Sequence, residues 1–155
     1  MERRDFLASG SSATALALAA ASGLTPAHAQ SAAGWNKAAF DSKTLADAAK
    51  AMGASSAPVE SKDLILQAPE IAENGAVVRI GAQSNIANTS QISFVVEKNP
   101  SALAASFDIP AGTDANVSTN IKMGQSSNVY ALAKAGDKYF YAVKEVKVTL
   151  GGCGG

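Results

Sequence analysis

From Leu45 onward, apolar residues recur first at helical and then at alternating spacing. Leu45, Ala48, Ala49 and Met52 fall on one helical face, with Lys43, Asp47 and Lys50 off it. Asp41 or Ser42 is the expected N-cap and Gly53 the stop. This predicts a short helix packed on the edge of a domain. A partner-docking helix has nothing beyond the same amphipathicity to support it. Ala54 to Ser61, with Ser55, Ser56 and Pro58, reads as a connector.

Beyond it the period becomes two. Leu64, Leu66 and Ala68 alternate with Asp63, Ile65 and Gln67 until Pro69 interrupts, and Asn74-Gly75 marks a turn. Further strands are expected over Val77–Ile80, around Ile92, Phe94 and Val96, over Leu103–Ile109, and through Val117, Thr119, Ile121 and Met123. Val129–Lys134 should pair with Lys138–Val143 through a Gly136-Asp137 turn. Tyr139, Tyr141 and Val143 are apolar on odd positions, whereas Val146, Val148 and Leu150 are on even ones. That change of phase at Lys144-Glu145 predicts a bulge or bend. Seven or eight short strands with turn residues between them argue a mainly β fold. The expected form is an immunoglobulin-like antiparallel β-sandwich with a short N-terminal helical segment and a flexible C-terminal Gly-Gly-Cys-Gly-Gly arm.

Residues 1–29 read as an export signal. Arg3-Arg4 precede Phe6-Leu7, a mildly apolar run continues to Leu24, and Ala27-His28-Ala29 offers a small-x-small site with cleavage after Ala29. The paired arginines resemble a twin-arginine signal and imply a periplasmic protein, although Glu2 and Ala8 depart from the commonest flanking residues. A general secretory signal or membrane anchor is the alternative, but the apolar run is too short and too rich in Ala and Ser for a stable span. The expected divisions are 1–29 signal, 30–61 helix and linker, 62–150 β domain and 151–155 terminal arm. The sequence of 155 residues holds 13 basic and 13 acidic side chains; losing the signal leaves 11 of each. With no basic block, neither nucleic acid nor an anionic membrane is an expected partner. Cleavage also removes His28, the only histidine, so the mature protein has no imidazole for nucleophile activation, metal ligation or proton transfer. Twin-arginine export carries folded cargo; with no cofactor motif in the sequence, a co-exported partner subunit is the expected reason.

The remaining chemistry is concentrated at the end. Cys153, the only cysteine, stands between Gly151-Gly152 and Gly154-Gly155. Ordering such a tail costs entropy and packing returns little, so the tail is expected to be mobile. Its cross-section is scarcely more than backbone. A free thiol in an oxidising compartment is a liability without a purpose. With no histidine and no cation nearer in sequence than Lys147, nothing local activates it; it looks like a hook for cargo whose catalysis comes from others. The alternatives are an incidental thiol or an intermolecular disulfide. Prenylation needs cysteine fourth from the end, and a lipoprotein box belongs behind an N-terminal apolar segment. Cytosolic ubiquitin-like sulfur carriers share the diglycine end, but their activation is cytosolic and the export signal argues against it. Glu70, Glu73 and Glu97 are expected on solvated surface, Asn85, Asn88 and Ser90 in turns, and no metal-ligand spacing is present.

The terminal stretch Val146 to Gly155 resembles the end of the SoxY family, sulfur carriers of bacterial thiosulfate oxidation. The likeness continues through Ala68-Pro69-Glu70-Ile71-Ala72-Glu73-Asn74-Gly75-Ala76-Val77-Val78, Val96 to Pro100, Leu103 to Phe107 and Val117 to Met123. The resemblance implies an immunoglobulin-like sandwich paired with a SoxZ-like subunit as a heterodimer. It also implies a c-type cytochrome enzyme that joins thiosulfate oxidatively to the cysteine, a hydrolase that releases sulfate and, in some organisms, a sulfur dehydrogenase. On this reading Cys153 holds sulfur covalently, Gly151, Gly152, Gly154 and Gly155 give the arm reach, and the protein is a carrier needing no cofactor. The rival expectation is a structural subunit whose cysteine forms an intermolecular disulfide.

Overall fold

The computed structural model describes residues 36–149. Among them two short helices, α1 (Lys37–Phe40) and α2 (Leu45–Ala51), precede nine strands. These are β1 (Val59–Glu60), β2 (Leu64–Gln67), β3 (Ile71–Ala72), β4 (Val78–Ser84), β5 (Thr89–Val96), β6 (Leu103–Asp108), β7 (Asn116–Ile121), β8 (Ser127–Ala135) and β9 (Lys138–Val148). The seven longer strands lie where alternation places them. The two-residue β1 falls in the stretch read as a connector, and β3 lies between the Pro69 interruption and the Asn74-Gly75 turn, where no strand was expected.

Helix α2 is capped by Thr44, whose hydroxyl accepts the Asp47 N–H at 3.1 Å, and not by Asp41 or Ser42. Those two residues finish α1 instead. Asp41 is its C-cap, and the buried Ser42 hydroxyl donates to the Ala39 carbonyl at 2.6 Å. Gly53, at φ +98°, ends α2 as expected. Ala39, Ala48 and Ala49 bring both helices close against Val95, Leu103, Leu132 and Tyr139. The Tyr139 hydroxyl fixes this layer by donating to the Met52 carbonyl at 2.6 Å.

The larger sheet runs β1-β9-β8-β5-β6 with β3 also on β9, and the smaller runs β2-β4-β7. Their facing sides share one core. Val78, Ile80 and Ala82 of β4 and Ile121 of β7 meet Ile92, Phe94 and Val96 of β5, Val129 and Ala131 of β8 and Val146 of β9. Phe94 and Phe107 meet edge-on at 6.3 Å between ring centroids. Long neighbours pair antiparallel, but β1 and β3 each run parallel to β9, so the larger sheet is mixed where antiparallel pairing throughout was expected. The cause is the path of the backbone. It touches the edge of β9 at Phe140-Tyr141 before entering β2 and again at Lys147-Val148 after leaving it, advancing along β9 both times.

Of the bulge or bend expected at Lys144-Glu145, no bulge forms against β8. β9 pairs with β8 from Ala135↔Lys138 to Ser127↔Val146 without a shift in register. Both sets of apolar positions are used at once. Odd Tyr139 and Tyr141 face the helices, while even Ala142, Val146 and Val148 face the core between the sheets. Ser90 likewise lies in β5 and not in a turn; it is the extra residue where the register with β8 shifts between Thr89 and Gln91. Asn85 and Asn88 do form the preceding turn, Asn88 at φ 60°.

Replacing Phe94, which is fully buried, with alanine should destabilise the domain by about 3–5 kcal/mol, read as a lower denaturant midpoint. A second expectation concerns alkaline pH. Burial raises the Tyr139 phenol above its ordinary 10.0 in the folded state. The folded protein therefore keeps that proton where the unfolded one loses it, so stability is intact below pH 10 and falls as pH rises beyond it. Tyr130, raised by burial and then by the Glu97 charge, adds to the decline. Tyr139→Phe should lessen, without abolishing, the slope of unfolding free energy above pH 10.

Candidate functional site

The last strand ends in a dedicated brace. Pairing with β8 ends at Val146, yet the backbone stays held for three more residues. The Ser126 hydroxyl accepts the Val148 N–H at 2.9 Å and lies 3.4 Å from the Val148 carbonyl, to which it donates. On the opposite edge β3 supplies Ile71 and Ala72 as partners of Lys147 and Val148. The Lys147 N–H donates to the Glu70 carbonyl at 2.9 Å, and the Thr149 N–H to the Ala72 carbonyl at 3.1 Å. The Thr149 hydroxyl reaches the Glu73 carbonyl at 3.4 Å.

The brace is itself held from both ends. Lys144 donates from Nζ to the Ala68 carbonyl at 2.8 Å, securing the backbone before β3. After β3, the Gly75 carbonyl accepts the Met123 N–H at 2.7 Å. Beside the brace lies an open cleft of about 600 Å³ lined by Ala68, Pro69, Ala72, Glu73, Arg79 and Lys144. Cationic and anionic groups both border it, and among the described residues Arg79 forms no ion pair. These groups fix the backbone of residues 147–149. They do not form a pocket with a nucleophile and its base.

Cys153 and Gly151, Gly152, Gly154 and Gly155 lie outside the described residues, as does Leu150. Glu70 and Glu73 are exposed, as expected, and it is their backbone carbonyls that hold the brace. Glu97 is exposed too and accepts the Asn128 side-chain amide at 3.0 Å, away from the brace. Among the described residues no group of His, Cys, Asp and Glu is assembled to hold a metal, and no helix is long and apolar enough to cross a membrane. Sequence reasoning missed Ser126 and β3. Ser126 stands in the polar run Gly124 to Asn128 with nothing to distinguish it, and β3 follows Pro69 with only two residues of strand.

The model of the family described as sulfur oxidation protein SoxY matches residues 48–153, so the match takes in β9, its brace and the cysteine. The chain belongs to the SoxY family. Among solved structures, the sulfur carrier protein SoxY from Chlorobium limicola f thiosulfatophilum is 37% identical. It aligns over 71% of this chain and 96% of its own, with a TM-score of 0.63. A lytic polysaccharide monooxygenase from Jonesia denitrificans aligns over 70% of this chain and 74% of its own at 15% identity and a TM-score of 0.39, too weak to bear on fold or function. No curated protein matches this sequence.

Ser126→Ala should leave this SoxY domain folded at a cost of about 1 kcal/mol, because the hydroxyl's two bonds to Val148, one of them long, are lost near the surface. Hydrogen exchange should quicken at the Val148 amide while remaining unchanged at Val129 in the core, as measured by amide-resolved NMR.

Proposed function

We propose that this SoxY-family protein is a periplasmic covalent sulfur carrier of thiosulfate oxidation. The observation that carries the reading is the family match, which runs through the braced end of β9 and on to Cys153. The fold is read as an immunoglobulin-like sandwich over 62–150, following a twin-arginine signal over 1–29 and the helical segment 30–61. The terminal arm is 151–155. From Thr149 to Cys153, four residues of extended backbone reach about 13 Å. Gly151, Gly152, Gly154 and Gly155 keep that reach slim enough for a narrow active-site entrance.

The chemistry balances with catalysis supplied by partners. The Cys153 thiolate joins the outer sulfur of thiosulfate, forming a new S–S bond, and two electrons pass to a c-type cytochrome enzyme. A hydrolase then directs water to the terminal sulfur, which leaves as sulfate, and a persulfide remains on Cys153. Where a sulfur dehydrogenase is present, it oxidises that remaining sulfur. The carrier needs no cofactor, because the covalent bond does the work of a binding pocket. A SoxZ-like subunit completes a heterodimer, and joint export of the folded pair explains the twin-arginine signal. The rival reading, a structural subunit joined through Cys153 by an intermolecular disulfide, differs in one observable.

Mature protein from thiosulfate-grown cells, cut with trypsin after Lys147, releases the peptide from Val148 to Gly155. A mass increment on that peptide matching sulfur, sulfite or thiosulfate, and removed by reduction, is the expected result. Cys153→Ser should then abolish thiosulfate oxidation while assembly with the partner subunit survives. A free thiol or cross-linked dimer peptide alone, with assembly lost in the variant, would make the role structural.

A further inference from the structure

Asn74-Gly75 is the only Asn-Gly pair in the sequence, and it stands where the brace turns into β4. Asn74 is exposed, and its side-chain oxygen accepts the Ala76 N–H at 2.9 Å. This bond closes an Asx turn across Gly75 and draws electron density from the carbon of the Asn74 side-chain amide. Glycine places no side chain in the way of an approach to its own nitrogen. Among the described residues the Gly75 N–H has no hydrogen-bond partner, while its carbonyl is held by Met123. The side-chain carbonyl is therefore polarised at an exposed residue, and the neighbouring nitrogen, in the buried Gly75, is not held by a hydrogen bond.

We infer that Asn74 is a site of spontaneous deamidation and that the product loosens the brace at Thr149. The Gly75 nitrogen, giving its proton to water, attacks the amide carbon of the Asn74 side chain. The bond from that carbon to the amide nitrogen breaks and ammonia leaves, giving a cyclic imide. Water opens the imide at either carbonyl, yielding aspartate or isoaspartate at position 74, with no change of oxidation state. Either product puts a second carboxylate beside Glu73. The isoaspartate form also adds a carbon to the backbone between two fixed points. On one side Ala72 and Glu73 hold Thr149, and on the other Gly75 is held by Met123. The added length is taken up at the weaker side, where the longest of these bonds runs 3.4 Å from the Thr149 hydroxyl. This holds whether or not the protein acts in sulfur transfer.

The test ages the mature full-length protein at neutral and mildly alkaline pH and follows the tryptic peptide from Asp63 to Arg79 by mass spectrometry. An amide-to-acid mass change should accumulate at Asn74 at least about tenfold faster than at the exposed Asn88, and faster as pH rises. Isoaspartyl methyltransferase labelling should mark the same peptide. The more acidic fraction, separated by ion exchange, should show amide exchange at Thr149 raised about tenfold. In Asn74→Gln, which would have to close a larger ring, Thr149 exchange should stay constant with age. Conversion no faster than at Asn88 overturns the assignment of the site. Conversion without any change at Thr149 overturns the coupling to the brace.

Discussion

Strand β9 is packed on both of its faces, and the other layers are fitted around that double burial. Its odd positions support the helices and its even positions close the core between the sheets. Each face constrains the other. A slip of one residue would drive Tyr139 and Tyr141 into the inter-sheet core and leave Val146 under the helices, so register is fixed from two sides. The long pairing with β8, through the tight Gly136-Asp137 turn, holds the strand in one register across both layers. The three buried alanines of α1 and α2 belong to the same arrangement, since larger side chains would lift the helices from Leu132 and Val95.

Most of the fold was legible because alternation reports burial directly. The strands around Ile92, Val129 and Ile121 declare themselves through a polar and an apolar face, and the Gly136-Asp137 hairpin through its turn. The errors in β9 share one cause. Reading it as having a single buried face turns Tyr139 and Val146 into a conflict of phase, when each belongs to a different layer. Strands β1 and β3 were invisible for another reason. Two residues are too few to show a period, and their existence depends on β9 lying alongside, which is a long-range fact. Thr44 displaced Asp41 and Ser42 as cap because a one-turn helix capped by Asn36 had already taken those residues.

The site divides similarly. Cys153 and its glycines stand out by composition alone, since little besides covalent transfer or cross-linking calls for a lone thiol among four glycines. What holds the backbone just before them could not be read. Ser126 matters through one hydroxyl and one backbone partner, and the carbonyls of Glu70, Ala72 and Glu73 matter without regard to their side chains. Family membership, in turn, joins the two parts into one region, since the matched residues cross the brace without interruption.

The parallel seating of β3 against the end of β9 also has a mechanical meaning. β9 lies between β8 on one edge and β1 and β3 on the other, so a pull on the backbone beyond Thr149, directed along the strand, loads both edges in shear. Hydrogen bonds sheared together share the load, whereas bonds at a peeled edge fail one after another. A force applied at Thr149 along the strand is therefore spread over two sheet edges at once, and no single edge carries it alone.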